Sequence, residues 1–232
     1  MVVLSADLAY RDYRDIGVAV LHGDPDRVEV QFQLLEGGGT PTPKGVVNAL
    51  LHLAEKVRAE VMLLDGPQGW RDPNGPYPNS RTCERILNTP AKTGLPGQVK
   101  PANYLPFVSF CIEVFDELAR QGWPRFAGDL SQVQHCAVES FPLSAWRALG
   151  IPILPAKAKA RQEDLESRTR LLVDRFRLSL NRAPNHDELQ ALVSGLAGLP
   201  LLREESAALK IDGIAPFELE GAIREGFIVN PR

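Results

Sequence analysis

Apolar and polar positions along the chain alternate, break and recur in a pattern that predicts an α/β protein. Val2–Leu8 is a strand candidate, Ile16–Leu21 a second, and Val28–Leu35 a third in which Val28, Val30, Phe32 and Leu34 alternate with polar residues. The turn Gly23-Asp24-Pro25-Asp26 joins the second to the third, so the three read as an antiparallel meander, closed off by Gly37–Gly39 and Thr40–Pro43. Pro43 fits the first position of a helix capped by Thr42. Val46, Val47, Leu50, Leu51, Ala54 and Val57 then make one apolar stripe at helical spacing. That helix leads into Val61–Leu64, four apolar residues in a row that suit a buried strand. The run breaks at Asp65, and Gly66, Pro67 and Gly69 force a turn.

Residues 66–106 are rich in Pro and Gly and carry one short helical piece, Ser80–Leu87. So long a connection inside a compact domain predicts an active-site loop or lid. Tyr104–Arg120 reads as an amphipathic helix through Phe107, Phe110, Cys111, Val114 and Leu118, ended by Gly122-Trp123-Pro124. Gln134–Val138 is a short strand that runs into Glu139-Ser140-Phe141-Pro142 and a helix at Leu143–Leu149. Lys157–Arg182 is polar and helical. Asn185 with Glu188 resembles a capping box that opens the helix of Leu189, Leu192, Val193 and Leu196, and Gly221–Val229 adds a last turn and short strand. No linker separates domains, so residues 1–232 read as one domain with 66–130 as a loop and helix insertion.

Composition narrows the class. At 232 residues, with 44% hydrophobic and 24% charged positions, the chain can bury a proper core as an ordinary globular protein. It shows no signal peptide and no apolar run of membrane-spanning length. Cys83, Cys111 and Cys136 are widely spaced and odd in number, which argues against a disulfide framework or zinc knuckle and points to a reducing, cytoplasmic compartment. A net charge of −3 gives no global attraction to nucleic acid, so such a partner must meet a local basic patch. The most basic tract is Lys157–Arg182, with eight Lys/Arg against four Asp/Glu, and its bland reading is a solvated helix face.

The candidate chemistry is acidic. Asp7, Asp65 and Glu139 stand at strand ends and Asp187 at a late helix start, which predicts convergence at one end of a sheet. Crowded carboxylates repel one another unless cations neutralise them, and hard oxygen ligands select Mg²⁺ or Mn²⁺. Two such ions would activate water and stabilise a leaving oxygen in phosphodiester cleavage. Singly, each acid has a structural alternative: Asp65 as a turn cap, Glu139 at the N-terminus of the helix that follows. Arg81, Glu84 and Arg85 share a helix face, either as a surface ion-pair set or as arginines reaching a phosphate; Lys157, Lys159 and Arg161 are further phosphate-contact candidates. His52 reads as structural, and His186 stands next to Asp187. The chain has no G-x-x-x-x-G-K loop, G-x-G-x-x-G, G-x-S-x-G, H-E-x-x-H or C-x-x-C.

The order β-β-β-α-β with acids at these positions resembles the ribonuclease H-like fold. The segments D-G-P-Q-G-W, R-T-C-E-R, V-E-S-F-P and H-D-E-L-Q-A-L are similar to domain-of-unknown-function family 429, predicted ribonuclease H-like nucleases. The likeness runs from the N-terminus to about Ala197, with E-G-F-I-V near the end also in keeping. It implies a mixed five-stranded sheet in β-β-β-α-β-α-β-α order with helices on both faces. It also implies a metal-dependent nuclease whose acids fall on Asp7, Asp65, Glu139 and Asp187, with Arg81 and Glu84 in the R-x-C-D/E segment. The chain departs from the pattern at Gln190-Ala191, where a second acid before alanine is usual. A helical wheel also turns Asp187 away from the apolar face of its helix. Two other functions stay open. One is a non-catalytic nucleic-acid or partner-binding module on the same fold. The other is a phosphoryl-transfer enzyme of the sugar-kinase type, for which Gly37–Gly39 is the only glycine-rich loop.

Overall fold

Strand β1 (Val2–Asp7) is the spine of the sheet, its middle residues Val3–Ala6 buried on both faces. The computed structural model describes residues 1–24 and 27–232. Strand β2 (Gly17–Gly23) pairs antiparallel with β1, and β3 (Val28–Gln33) antiparallel with β2, the expected meander. Of the turn expected between them, Pro25 and Asp26 lie outside the described residues. β3 stops at Gln33, short of the expected Leu35, and Leu34 is 80% exposed. Helix α1 (Pro43–Val57) starts as its sequence predicts, with the Thr42 hydroxyl accepting from the Gly45 N–H. Its buried stripe is Val46, Val47, Leu50, Leu53 and Ala54; Leu51 and Val57 lie at the margin.

Strand β4 (Val61–Asp65) runs parallel to β1. The chain then passes through α2 (Thr82–Leu87) and a small antiparallel pair, β5 (Lys92–Thr93) with β6 (Val99–Lys100), to reach α3 (Leu105–Arg120). Strand β7 (Cys136–Ser140) pairs parallel with β4 and continues two residues past the expected end, so Glu139 lies inside the strand. Helix α4 (Pro142–Ala148) follows, then α5 (Gln162–Phe176) and β8 (Leu178–Leu180). The basic tract is therefore not one helix: Arg177 adopts φ 52°, which ends α5 and turns the chain into β8, parallel to β3. Helices α6 (His186–Gly195) and α7 (Gly198–Leu202) precede a long hairpin, β9 (Leu209–Leu219) and β10 (Ala222–Pro231).

The sheet has eight strands, not five, in the order β8-β3-β2-β1-β4-β7-β10-β9. The first five strands read from the sequence occupy its contiguous centre, and the short strand expected within Gly221–Val229 is the longer β10. The two missed ones, β8 and β9, are the edge strands, with weak signals. β9 carries Gly213 and Pro216, which read as strand breakers but are tolerated at an edge, where a proline costs no ladder hydrogen bond. β8 has only three residues. Alternation along the central strands splits the core in two. Leu4, Val18, Val20, Met62 and Leu64 pack under α1 and α3; Val3, Ala19, Leu21, Leu63 and Val138 pack under α4, α5 and α6. Among the described residues no helix is long and apolar enough to cross a membrane.

Candidate functional site

The parallel pairing of β1 with β4 sets Asp7 directly beside Asp65, and the pairing of β4 with β7 sets Asp65 beside Ser140. The row Asp7–Asp65–Ser140 therefore closes three adjacent parallel strands at their C-terminal ends, on the face covered by α6. Directly after Asp65 the chain reverses at Gly66, whose φ of 135° and position against α3 suit only glycine: a Cβ there would lie 2.4 Å from the Cys111 sulfur. Asp7 and Asp65 are partly buried and stand side by side in the strand register. Burial raises the Asp65 carboxyl to about 7; the neighbouring Asp7 carboxyl pulls the other way and the Glu139 charge adds to the rise. Asp7 is also pushed up, by burial first and then by the charges of Asp65 and Asp187. Among the described residues neither aspartate forms an ion pair with a Lys, Arg or His, so no such pair offsets the burial that raises both carboxyls.

Asp187 reaches this corner because Gly17, the register partner of Asp7, has no side chain. A Cβ on Gly17 would stand 2.1 Å from the backbone carbonyl of Asp187. The helix start is fixed by the predicted capping box: Asn185 Oδ1 accepts from the Glu188 N–H at 2.9 Å, and Glu188 accepts from the Asn185 N–H at 2.9 Å. Asp187 is buried although the wheel turned it outward, since α6 is covered along its length. Its Oδ2 accepts from Lys157 Nζ at 2.5 Å, and its Oδ1 lies 3.0 Å from His186 Nδ1. Burial works to raise this carboxyl, but the bonds from His186 and Lys157 hold it below its ordinary range. Lys157 also reaches Asp15 at 2.8 Å.

Glu139 lies one residue before the end of its strand and is paired differently. Arg81 grips it with Nη1 at 2.7 Å and Nη2 at 2.6 Å, and the Gln68 N–H donates to it at 3.0 Å. Arg81 Nε donates to Glu84 at 3.1 Å, and Glu84 accepts further bonds from the Thr93 N–H and hydroxyl at 2.8 and 2.6 Å. Burial pushes Glu139 up while the Arg81 charge and hydrogen bonds oppose it. This is not a surface ion-pair set: the Arg81 side chain is 1% exposed and Glu84 4%. Arg85 alone of the trio faces solvent. Lys159 and Arg161 are exposed on the approach to α5 and form no ion pair among the described residues.

Three residues at the site are given no role by the sequence. Gln68 is fully buried, tying the Glu139 carboxylate to the Phe227 carbonyl. Glu225 sits at a bulge in β10 with φ 58° and accepts from the Asp72 N–H at 3.1 Å and the Thr82 N–H at 2.8 Å. It thereby pins both ends of the segment between them. A Glu-Gly pair inside a strand-like run, as in E-G-F-I-V, is the signal that could have marked the bulge. The third is Gly17. Gln190, at which the resemblance leads us to expect an acid, accepts the Trp146 indole N–H at 2.7 Å in the core, a bond a neutral amide makes without a buried charge.

Among the described residues no three His, Cys, Asp or Glu side chains are grouped to hold a metal ion. The pairings account for it: Asp187 is turned to Lys157, Glu139 to Arg81, and only Asp7 and Asp65 lack a protein cation. Those two fit one hard divalent ion, and Asp187 fits as a third oxygen donor if Lys157 gives way. The chain matches no protein-family model and no curated protein sequence.

Proposed function

We propose that the chain is a divalent-metal-dependent phosphodiesterase acting on nucleic acid, built on a ribonuclease H-like sheet and related to domain-of-unknown-function family 429. One observation carries the reading: two aspartates in register at the C-terminal ends of adjacent central parallel strands, partly buried and without a protein cation. The contiguous central strands β3-β2-β1-β4-β7 support the fold assignment, because they are the five that the resemblance implies. Asp7 and Asp65 would hold Mg²⁺ or Mn²⁺, with Asp187 as a third donor; the ion would supply positive charge against the phosphodiester oxygens. Glu139 is a positioning residue in this reading. Through Arg81 and Gln68 it fixes the loop that leaves Asp65. Lys157, released from Asp187, is placed to meet a phosphate oxygen.

The test is cleavage of labelled single- and double-stranded DNA and RNA by the wild type and Asp65→Asn, with Mn²⁺ and with EDTA. Cleavage that needs both the metal and Asp65 supports the reading; none on any substrate removes it. A non-catalytic binding module is favoured by one observation, that Glu139 and Asp187 already carry protein partners. Nucleic-acid binding unchanged by Asp65→Asn, with no metal uptake, would select it.

A further inference from the structure

A pocket of about 220 Å³ opens beside Asp65 and belongs to none of the roles above. Its wall is apolar and aromatic: Tyr104 and Phe107 from α3 and its approach, Phe141 and Leu143 around the start of α4, Ile228 from β10, and Pro90. The three rings are only partly buried and so present surface to the opening. Polar groups are few. Arg81, Glu84, Glu139 and Thr93 line it but are engaged with one another. Ser140 also lines it, but its hydroxyl is buried and closed to the opening. The volume is below the ~300–1,000 Å³ of a drug-sized ligand's site, and suits a single ring system.

A cleft that sets Asp65 beside three aromatic rings offers what a nucleotide presents: a phosphodiester linked to a flat heterocycle. We infer that this pocket receives one unpaired nucleobase, stacked on Tyr104, Phe107 or Phe141, while the phosphate of that nucleotide faces Asp65. The inference rests on the phosphodiesterase reading and narrows its substrate to single-stranded or unpaired nucleic acid, since a base inside a duplex has neither face free. Aromatic stacking tolerates any base, so sequence preference is weak.

The experiment is fluorescence anisotropy on the full chain in EDTA, with three probes: a labelled single strand, its duplex, and the same strand with abasic positions throughout. The single strand binds about tenfold more tightly than either other probe, in line with the worth of one stacked base. Tyr104→Ala and Phe107→Ala each remove that advantage, and Leu143→Trp, which fills the pocket, removes it without deleting a ring. Equal binding of all three probes, no binding of the single strand, or wild-type binding by all three variants overturns the inference. Metal-dependent cleavage measured beside it separates the two readings. Cleavage without base dependence keeps the phosphodiesterase and discards the pocket's role, whereas base-dependent binding without cleavage does the reverse.

Discussion

Replacing Arg81 by Met tests whether the buried network around Glu139 is organised as described. Arg81 makes two bonds to Glu139, at 2.6 and 2.7 Å, and one to Glu84 at 3.1 Å, with the guanidinium 1% exposed. Met fills much of the same volume but leaves two carboxylates in the interior without their cation. Removing one partner of such a pair costs about 3–5 kcal/mol. For a chain of this size, that corresponds to a fall in Tm of roughly 6–20 °C. The loss depends on pH. Without Arg81, only the Gln68 N–H opposes the burial that pushes Glu139 up, so Glu139 keeps a proton in the folded state at pH values where the unfolded state releases it. The cost then grows as pH rises from the ordinary carboxyl range toward the raised value and shrinks in acid. Urea unfolding of Arg81→Met at about pH 8 and about pH 5 reads this directly, with Arg81→Met/Glu139→Gln completing a double-mutant cycle. The double variant recovers part of the loss, since one of the two stranded charges, that of Glu139, is gone. A single-variant loss below about 1 kcal/mol, in the range of a surface pair, refutes the reasoning. So does a double variant whose loss is simply additive.

Further outcomes follow from the same geometry. In metal-free protein, Asp65→Asn stabilises the fold above neutral pH by up to about 4 kcal/mol, the equivalent of raising a carboxyl from 3.8 to about 7. A raised carboxyl costs nothing below the unfolded value and its full amount above the folded one. Thermal melts of the variant and wild type therefore converge near pH 4 and separate toward pH 8, in about that window. Gly17→Ala, whose new Cβ falls on the Asp187 carbonyl, costs about 1–3 kcal/mol in urea unfolding and weakens metal binding as α6 is pushed from Asp7. Lys157→Ala frees Asp187, so Mn²⁺ binds more tightly by calorimetry. The same change lowers the salt slope of oligonucleotide binding by about 1.

The parts legible in the sequence were those set by local pattern. Period-two alternation in Val28–Phe32, the Thr42-Pro43 helix start and the Asn185/Glu188 box each depend on neighbours a few residues away, and each recurs in the structure. The row of Asp7 and Asp65 was legible as two strand-end acids, but their register was not, because strand pairing is fixed by contacts between distant segments. Glu139 and Arg81 were visible as motif residues, yet their pairing depends on an irregular segment folding back on the sheet. Gly17 carried no pattern at all: its role exists only once α6 lies across β2. The flanking strands were hidden by breakers, Gly213 and Pro216 in β9, and by brevity in β8.

The central claim is that Asp7 and Asp65 form a divalent-cation site, and Mn²⁺ titration by calorimetry into the wild type and Asp65→Asn tests it most directly. Saturable binding to the wild type, lost or weakened at least tenfold in the variant, is the predicted result. Identical titrations of the two proteins, or no heat of binding to either at on the order of 1 mM Mn²⁺, would contradict the claim, because a carboxylate site for a hard divalent ion cannot lose a charged ligand without losing affinity.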